Sequence, residues 1–316
     1  MWSKRRNPFP LTDSAIAVHH RPTPVRVAAV KFGIIPPYGL APVEEPEFAV
    51  AFAQLAEECG FESLWVVEHV VMAVEYRSVY PYDPSGRSPF HARVAQPDPL
   101  IWLSHVAAAT SRIRLATGVL NLPQRNPLIL AKELASLDRL SRGRVELGIG
   151  IGWVREEAEA VGSDFSTRGR RADEYIEAMR ALWRQDVATF EGEFVRFSGV
   201  VCEPRPVQDG GVPIVVGGHS PAAARRAGRL GNGFYPLGVG DDRLARLREV
   251  MESEARACGR NPEEIALTLL GTADAASAHR CRRLGAERMV IGAPASDLEG
   301  LREALARFRD EVIERF

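Results

Sequence analysis

The sequence predicts an α/β protein, a (β/α)8 TIM barrel. From Val25 onward, short β-branched runs alternate with longer stretches of helical periodicity, the pattern of repeated βα units around a parallel sheet. Eight such strands and eight helices can be counted along 316 residues. No linker or composition break divides them, which weighs against the alternative topology, a doubly wound sheet with an extra domain. With 46% hydrophobic residues, one large core is within reach.

The first 24 residues, MWSKRRNPFPLTDSAIAVHHRPTP, read as a solvated extension ahead of a single domain from 25 to 316. Arg5 and Arg6 ahead of Phe9 resemble a twin-arginine export signal, but Asp13, His19 and His20 interrupt the apolar segment such a signal needs. The strands follow in order: VRVAAVKFGII (25–35), SLWVVE (63–68), IRLATGV (113–119), RVELGIG (144–150), PIVVGG (213–218), GFYPL (233–237), IALTLLG (265–271) and ERMVIGA (287–293). Helical stretches between them include EEPEFAVAFAQLAEECG, DPLIWLSHVAAATS and NPLILAKELASLDRLSRG, and a last one spans 297–316. Two insertions break the repeat. Residues 70–96 form a long loop after the second strand. Before the fifth, residues 187–203 alternate like a hairpin about Glu191 and Gly192. Loops that follow barrel strands gather at the C-terminal mouth, so the first insertion belongs at a site, whereas the hairpin follows a helix.

Charge and cysteine usage narrow the function. Forty basic and 41 acidic side chains nearly cancel and are interspersed, which disfavours nucleic acid and favours a small-molecule partner. No run reaches the roughly 18 apolar residues of a membrane span. Cys59, Cys202, Cys258 and Cys281 lie far apart, which argues against a thiolate metal site and fits packing roles in a reducing, cytoplasmic setting.

The second strand stops at an acid and an imidazole, Glu68 and His69. At a barrel mouth the imidazole is suited to proton transfer near neutral pH; alternatively it only hydrogen-bonds a strand end. Tyr76, Tyr80 and Tyr82 in the following loop are either pocket walls or exposed loop tyrosines. The fourth strand carries Gly148, Gly150 and Gly152 at a spacing of two, all on one face. A stripped face admits a flat ring or a neighbouring backbone, or relieves crowding inside the barrel. Trp153 beyond it floors a pocket or packs in the core. After the fifth strand, Gly217, Gly218, His219 and Ser220 precede Pro221, with Ser220 placed as a helix cap. Free N–H groups at such a helix start suit a phosphate, though a tight turn without ligand has the same sequence. The dinucleotide glycine spacing and a ribose-binding acid are missing, which disfavours nicotinamide.

Taken together, WVVEH, IRLATGVLNLPQRNPLILAKELASLDRLSRGRVELGIGIGW and PVQDGGVPIVVGGHSPAAARRAGRLGNGF resemble the bacterial luciferase-like superfamily, and more closely its branch using the deazaflavin coenzyme F420. The resemblance runs from about Val27 to Gly238, and beyond that only the pattern matches. It implies a luciferase-like barrel, commonly a homodimer, with the cofactor ring at the C-terminal mouth. It also implies a non-proline cis peptide at Gly118-Val119, forming a bulge behind the ring, and a cofactor phosphate at Gly217, Gly218 and Ser220. His69 matches the family's proton donor or acceptor, and Glu68 a cofactor-binding or histidine-orienting partner. Sugar-phosphate dehydrogenases of this branch carry a glutamate where Trp153 stands, which puts a sugar-phosphate substrate in doubt. The activity implied is hydride transfer between the deazaflavin and a small organic substrate. An FMN-dependent monooxygenase and a non-catalytic flavin-binding protein are the alternatives.

Overall fold

Eight parallel strands close into a barrel in the computed structural model, which describes residues 29–88 and 90–316. The expected extension, 1–24, lies outside the described residues, as do the first positions of the first strand. The strands are β1 (Lys31–Ile35), β2 (Ser63–Val66), β3 (Arg114–Thr117), continued after a break by β4 (Leu120–Asn121), β5 (Val145–Gly150), β8 (Ile214–Gly217), β9 (Gly233–Tyr235), β10 (Ala266–Gly271) and β11 (Arg288–Gly292). Each pairs in parallel with its neighbour, and β11 closes on β1. The hairpin is β6 (Ala188–Glu191) against β7 (Arg196–Val200), antiparallel as expected.

The helices are α1 (Pro46–Glu58), α2 (Pro99–Ala107), α3 (Pro127–Leu140), α4 (Arg155–Ala160), α5 (Arg168–Arg184), α6 (Pro221–Leu230), α7 (Asp241–Ala257), α8 (Ala275–Arg283) and α9 (Leu298–Glu311). Proline opens α2, α3 and α6, each behind a cap: Asp98, Asn126 and Ser220 accept the N–H groups of the first turn. One helix exceeds the eight counted from the sequence. It is α4, a short turn of helix that the fourth strand's loop places at the mouth.

Two packed regions hold the barrel. The larger lies between sheet and helices, with Phe52, Leu64, Leu103, Leu115 and Leu130 fully buried. The smaller fills the barrel interior with Trp65, Ala116, Val215, Tyr235 and Val290. Trp65 crosses that space because its surroundings are small: a Cβ on Gly33 would stand 2.7 Å from the indole, and one on Gly118 3.0 Å. Cys59, Cys202 and Cys281 are buried as packing residues, but Cys258 at the end of α7 is exposed, since a helix terminus on the outer layer has no neighbour to cover it. Among the described residues no helix is long and apolar enough to cross a membrane.

Candidate active site

The second strand ends at Val66, so Glu68 and His69 sit in the loop beyond it and turn in different directions. Glu68 is buried, and it accepts the Asn121 N–H at 2.5 Å and the Arg125 Nε–H at 2.8 Å. Burial pushes its carboxyl up, while Arg125 and Asn121 pull the other way. Arg125 also reaches Asp98. Glu68 therefore braces the chain after β4 and does not orient His69.

That task falls to Glu157, in the first turn of α4, which sequence reasoning missed. Its Oε2 lies 3.0 Å from His69 Nδ1, and its Oε1 accepts the Val70 N–H at 2.6 Å. The next residue back, Glu156, accepts the Arg77 N–H at 2.6 Å and the Ser78 hydroxyl at 2.7 Å. These bonds, Ser78 first, bring its carboxyl down to about 2. Adjacent acids of one short helix thus hold both the histidine and the covering loop. The only sequence signal was the pair itself, at the end of GWVREE.

The loop after β2 crosses the mouth. Val94 is the nearest neighbour to the space above Gly39, and Tyr82 to that above Gly238, on opposite sides of the barrel opening. Between them the rings form a chain of edge contacts: Trp153 meets His69 at 6.0 Å, Tyr76 at 5.5 Å and Tyr80 at 5.1 Å. Tyr80 meets Tyr82 at 5.3 Å, and Tyr82 meets His219 at 5.0 Å. Trp153 and all three tyrosines thus line the mouth.

The floor is built by glycines, for a reason the spacing left open. The Gly118-Val119 bond is cis, and across it the register against β5 slips by one residue, a bulge. Gly148 admits backbone: a Cβ there would stand 1.9 Å from the Thr117 carbonyl oxygen. Gly150 and Gly217 instead admit Val119, whose methyl carbons would lie 2.7 and 2.6 Å from a Cβ at those positions. The space a Cβ would take at these two positions is therefore filled by Val119, and of the readings left open for the glycines the structure shows this close packing. Gly152 lies beyond the strand at φ 77°.

At the turn after β8, Gly218 adopts φ 114°, a conformation that favours glycine, and carries the chain into α6. Ser220 Oγ accepts the Ala223 N–H at 3.2 Å and its carbonyl the Ala224 N–H at 3.0 Å, and because Pro221 has no N–H, the Ala222 N–H is the one left in that turn without an acceptor among the described residues. His219 lies at the same turn, its Nδ1 buried without a partner among the described residues, and burial followed by the Arg243 charge pulls its pKa down. Tyr235, at the end of β9, is fully buried with an unpartnered hydroxyl. Arg125 is paired with Glu68 and Asp98, and Arg170 with Glu193.

A closed parallel barrel with an acid-held histidine, an aromatic rim and a glycine-led helix start at its C-terminal mouth defines a TIM-barrel enzyme. The chain belongs to the luciferase-like monooxygenase family, whose model matches residues 26–311. An uncharacterised protein of Mycobacterium tuberculosis is 41% identical over 167 residues, covering 53% of this chain and 59% of that protein, less than two thirds of its length. An F420-dependent glucose-6-phosphate dehydrogenase of Kineococcus radiotolerans is 34% identical over 271 residues, 83% of this chain and 74% of that one. Among solved structures, the monooxygenase RslO1 of Streptomyces bottropensis superposes with a TM-score of 0.73 at 24% identity, over 90% of this chain and 99% of that one. An F420-dependent secondary alcohol dehydrogenase, solved with an F420-acetone adduct, gives 0.72 at 18% identity, over 90% and 98%. At those identities the likeness is one of fold.

Proposed function

We propose that the protein is a coenzyme F420-dependent oxidoreductase that moves a hydride between the deazaflavin and a small organic substrate, with His69 handling the accompanying proton. The observation that carries this reading is the mouth itself, where an acid-held imidazole faces an aromatic rim and a helix start with free N–H groups. The residues present fit such a cofactor. The Gly218 N–H is taken by the Tyr235 carbonyl at 3.1 Å, so the Ser220 and Ala222 N–H groups at the start of α6 are the donors for a phosphate, and Val119 on its bulge offers an apolar ridge for a flat ring. The relative named as an F420-dependent glucose-6-phosphate dehydrogenase adds support from sequence.

When bound, the deazaflavin supplies hydride chemistry without ready activation of dioxygen. The chain supplies the rest. Trp153, Tyr76 and Tyr80 hold a substrate by ring contact and exclude water, and His69 gives or takes a proton at the atom next to the reacting carbon. An electron-poor alkene, imine or carbonyl fits that division of labour. Trp153 beside His69 puts a ring, not an acid, at the position that matches the glutamate of sugar-phosphate dehydrogenases. A homodimer belongs to the same reading, supported by the exposed Ile101 on α2 and Ile129 on α3.

Calorimetric titration of the purified protein with oxidised deazaflavin and with FMN, alongside a His69→Ala control, tests the proposal. Micromolar binding of deazaflavin alone is the expected result. A preference for FMN overturns it in favour of an oxygen-dependent monooxygenase, and binding without turnover across a broad substrate panel favours a non-catalytic flavin-binding protein.

A further inference from the structure

Glu157 is separated from His69 by 88 positions in the chain, yet its side chain is fully buried against the imidazole. It has two acceptor oxygens and two donors facing them, the Val70 N–H at 2.6 Å and His69 Nδ1 at 3.0 Å. A carboxylate has no proton to give, so the hydrogen in the second bond must sit on Nδ1. In a neutral imidazole that leaves the lone pair on Nε2, because the tautomer is set by the bond the other nitrogen makes.

We infer that Glu157 is the positioning residue of the site: it fixes His69 as the Nδ1–H tautomer, so that Nε2 exchanges the proton, and through Val70 it makes that orientation depend on the seated loop. The inference rests on the reading of His69 as the proton-handling group. Glu157 itself touches no reacting atom. When His69 takes a proton at Nε2, the same carboxylate stabilises the resulting cation across a 3.0 Å contact. The dependence on the loop follows from sharing. If the loop lifts at Val70, Glu157 loses one of its two donors, and the histidine loses the neighbour that fixes the carboxylate's rotation. Glu156 serves as a control on the same helix, since it grips the loop further along, at Arg77 and Ser78, and has no hydrogen bond to His69.

Glu157→Gln tests this with little change of shape. The amide offers one acceptor oxygen, which must face the Val70 N–H because a backbone N–H can only donate, so the NH2 group faces Nδ1 and forces the proton to Nε2. The readout is the long-range proton–nitrogen NMR correlation of 15N-histidine in the whole protein at about pH 8, where imidazole is neutral. His69 is assigned by the signal lost in His69→Ala. Wild type and Glu156→Gln are expected to show protonated Nδ1 and bare Nε2, and Glu157→Gln the reverse. A wild-type spectrum with the proton on Nε2 overturns the inference, as does a Glu157→Gln spectrum that matches wild type. The spectrum requires no cofactor, so its failure is distinct from failure of the deazaflavin titration. If Glu157→Gln does not fold, the wild-type spectrum decides alone.

Discussion

The two ends of the barrel treat polar groups in opposite ways. At the N-terminal end, Arg288, first residue of β11, donates to Glu62 at 2.8 and 2.9 Å and to Glu146 on β5 at 3.1 and 3.2 Å. Arg114, first residue of β3, reaches Glu146 at 3.3 Å. Burial opposes the Arg288 charge, but the two glutamates raise its pKa. At the C-terminal end, by contrast, the Tyr235 hydroxyl and His219 Nδ1 are buried and unpartnered. Both ends bury polar atoms at a cost. The lower end recovers it within the protein and so serves stability; the upper end recovers it at Glu68 and Glu157 but leaves the Tyr235 hydroxyl and His219 Nδ1 without partners among the described residues.

The comparison breaks most visibly if Arg288→Met is harmless. Removing the guanidinium leaves Glu62 and Glu146 with Arg114 as their remaining cation, at 3.9 and 3.3 Å, and the expected loss is about 3 kcal/mol in urea denaturation. His69→Ala, at the other end, is expected to cost about 1–3 kcal/mol, because it takes one donor from the buried Glu157 carboxylate, while cutting kcat/KM on any substrate by about 10²–10⁴-fold. A variant that loses stability but keeps its rate would move His69 to the structural side. Tyr235→Phe is expected to raise the stability of the ligand-free protein by about 1 kcal/mol, because it deletes an orphan hydroxyl, and to weaken ligand binding in calorimetry.

The smallest effects are in pH. Burial opposes ionisation of Glu62, yet the Arg288 guanidinium holds its carboxyl below the ordinary 4.5. Its contribution is therefore full above pH 4.5 and is lost as pH falls below it. Tyr235 runs the other way: burial first, then Tyr82, raises its phenol above the ordinary 10.0, so stability present below pH 10.0 is lost as pH climbs. Denaturation midpoints measured across both ranges are expected to show the acid slope flatten in Arg288→Met and the alkaline slope flatten in Tyr235→Phe.

Much of the barrel was legible because its strands are buried on both faces and read as β-branched runs bounded by turns. The cis bond at Gly118-Val119 fell where the resemblance placed it, and the helix start at Ser220 where the serine cap and following proline did. The direction in which side chains turn beyond a strand's end was not legible. Glu68 and His69 are neighbours in sequence, but the strand stops two residues before Glu68, and the loop sends one to Arg125 and the other to Glu157. Nothing local announces a partner 88 positions away. Glycine spacing gave the right face of β5 without telling backbone clearance at Gly148 from side-chain clearance at Gly150.

Val119 makes the floor of the mouth dependent on history. With the valine in place, an alanine at position 150 meets its methyl group at 2.7 Å. Once Val119→Ala has occurred, the same alanine faces the Cβ of residue 119 and Asn121 Oδ1, each at 3.6 Å, ordinary contacts. At position 217 the gap to that Cβ becomes 3.7 Å, and the Ile149 carbonyl oxygen at 3.0 Å is the neighbour that remains. Substitutions here are therefore ordered: a lineage, or an engineer, reshaping this surface must change the valine first, and a library that varies the glycines alone would sample only blocked paths.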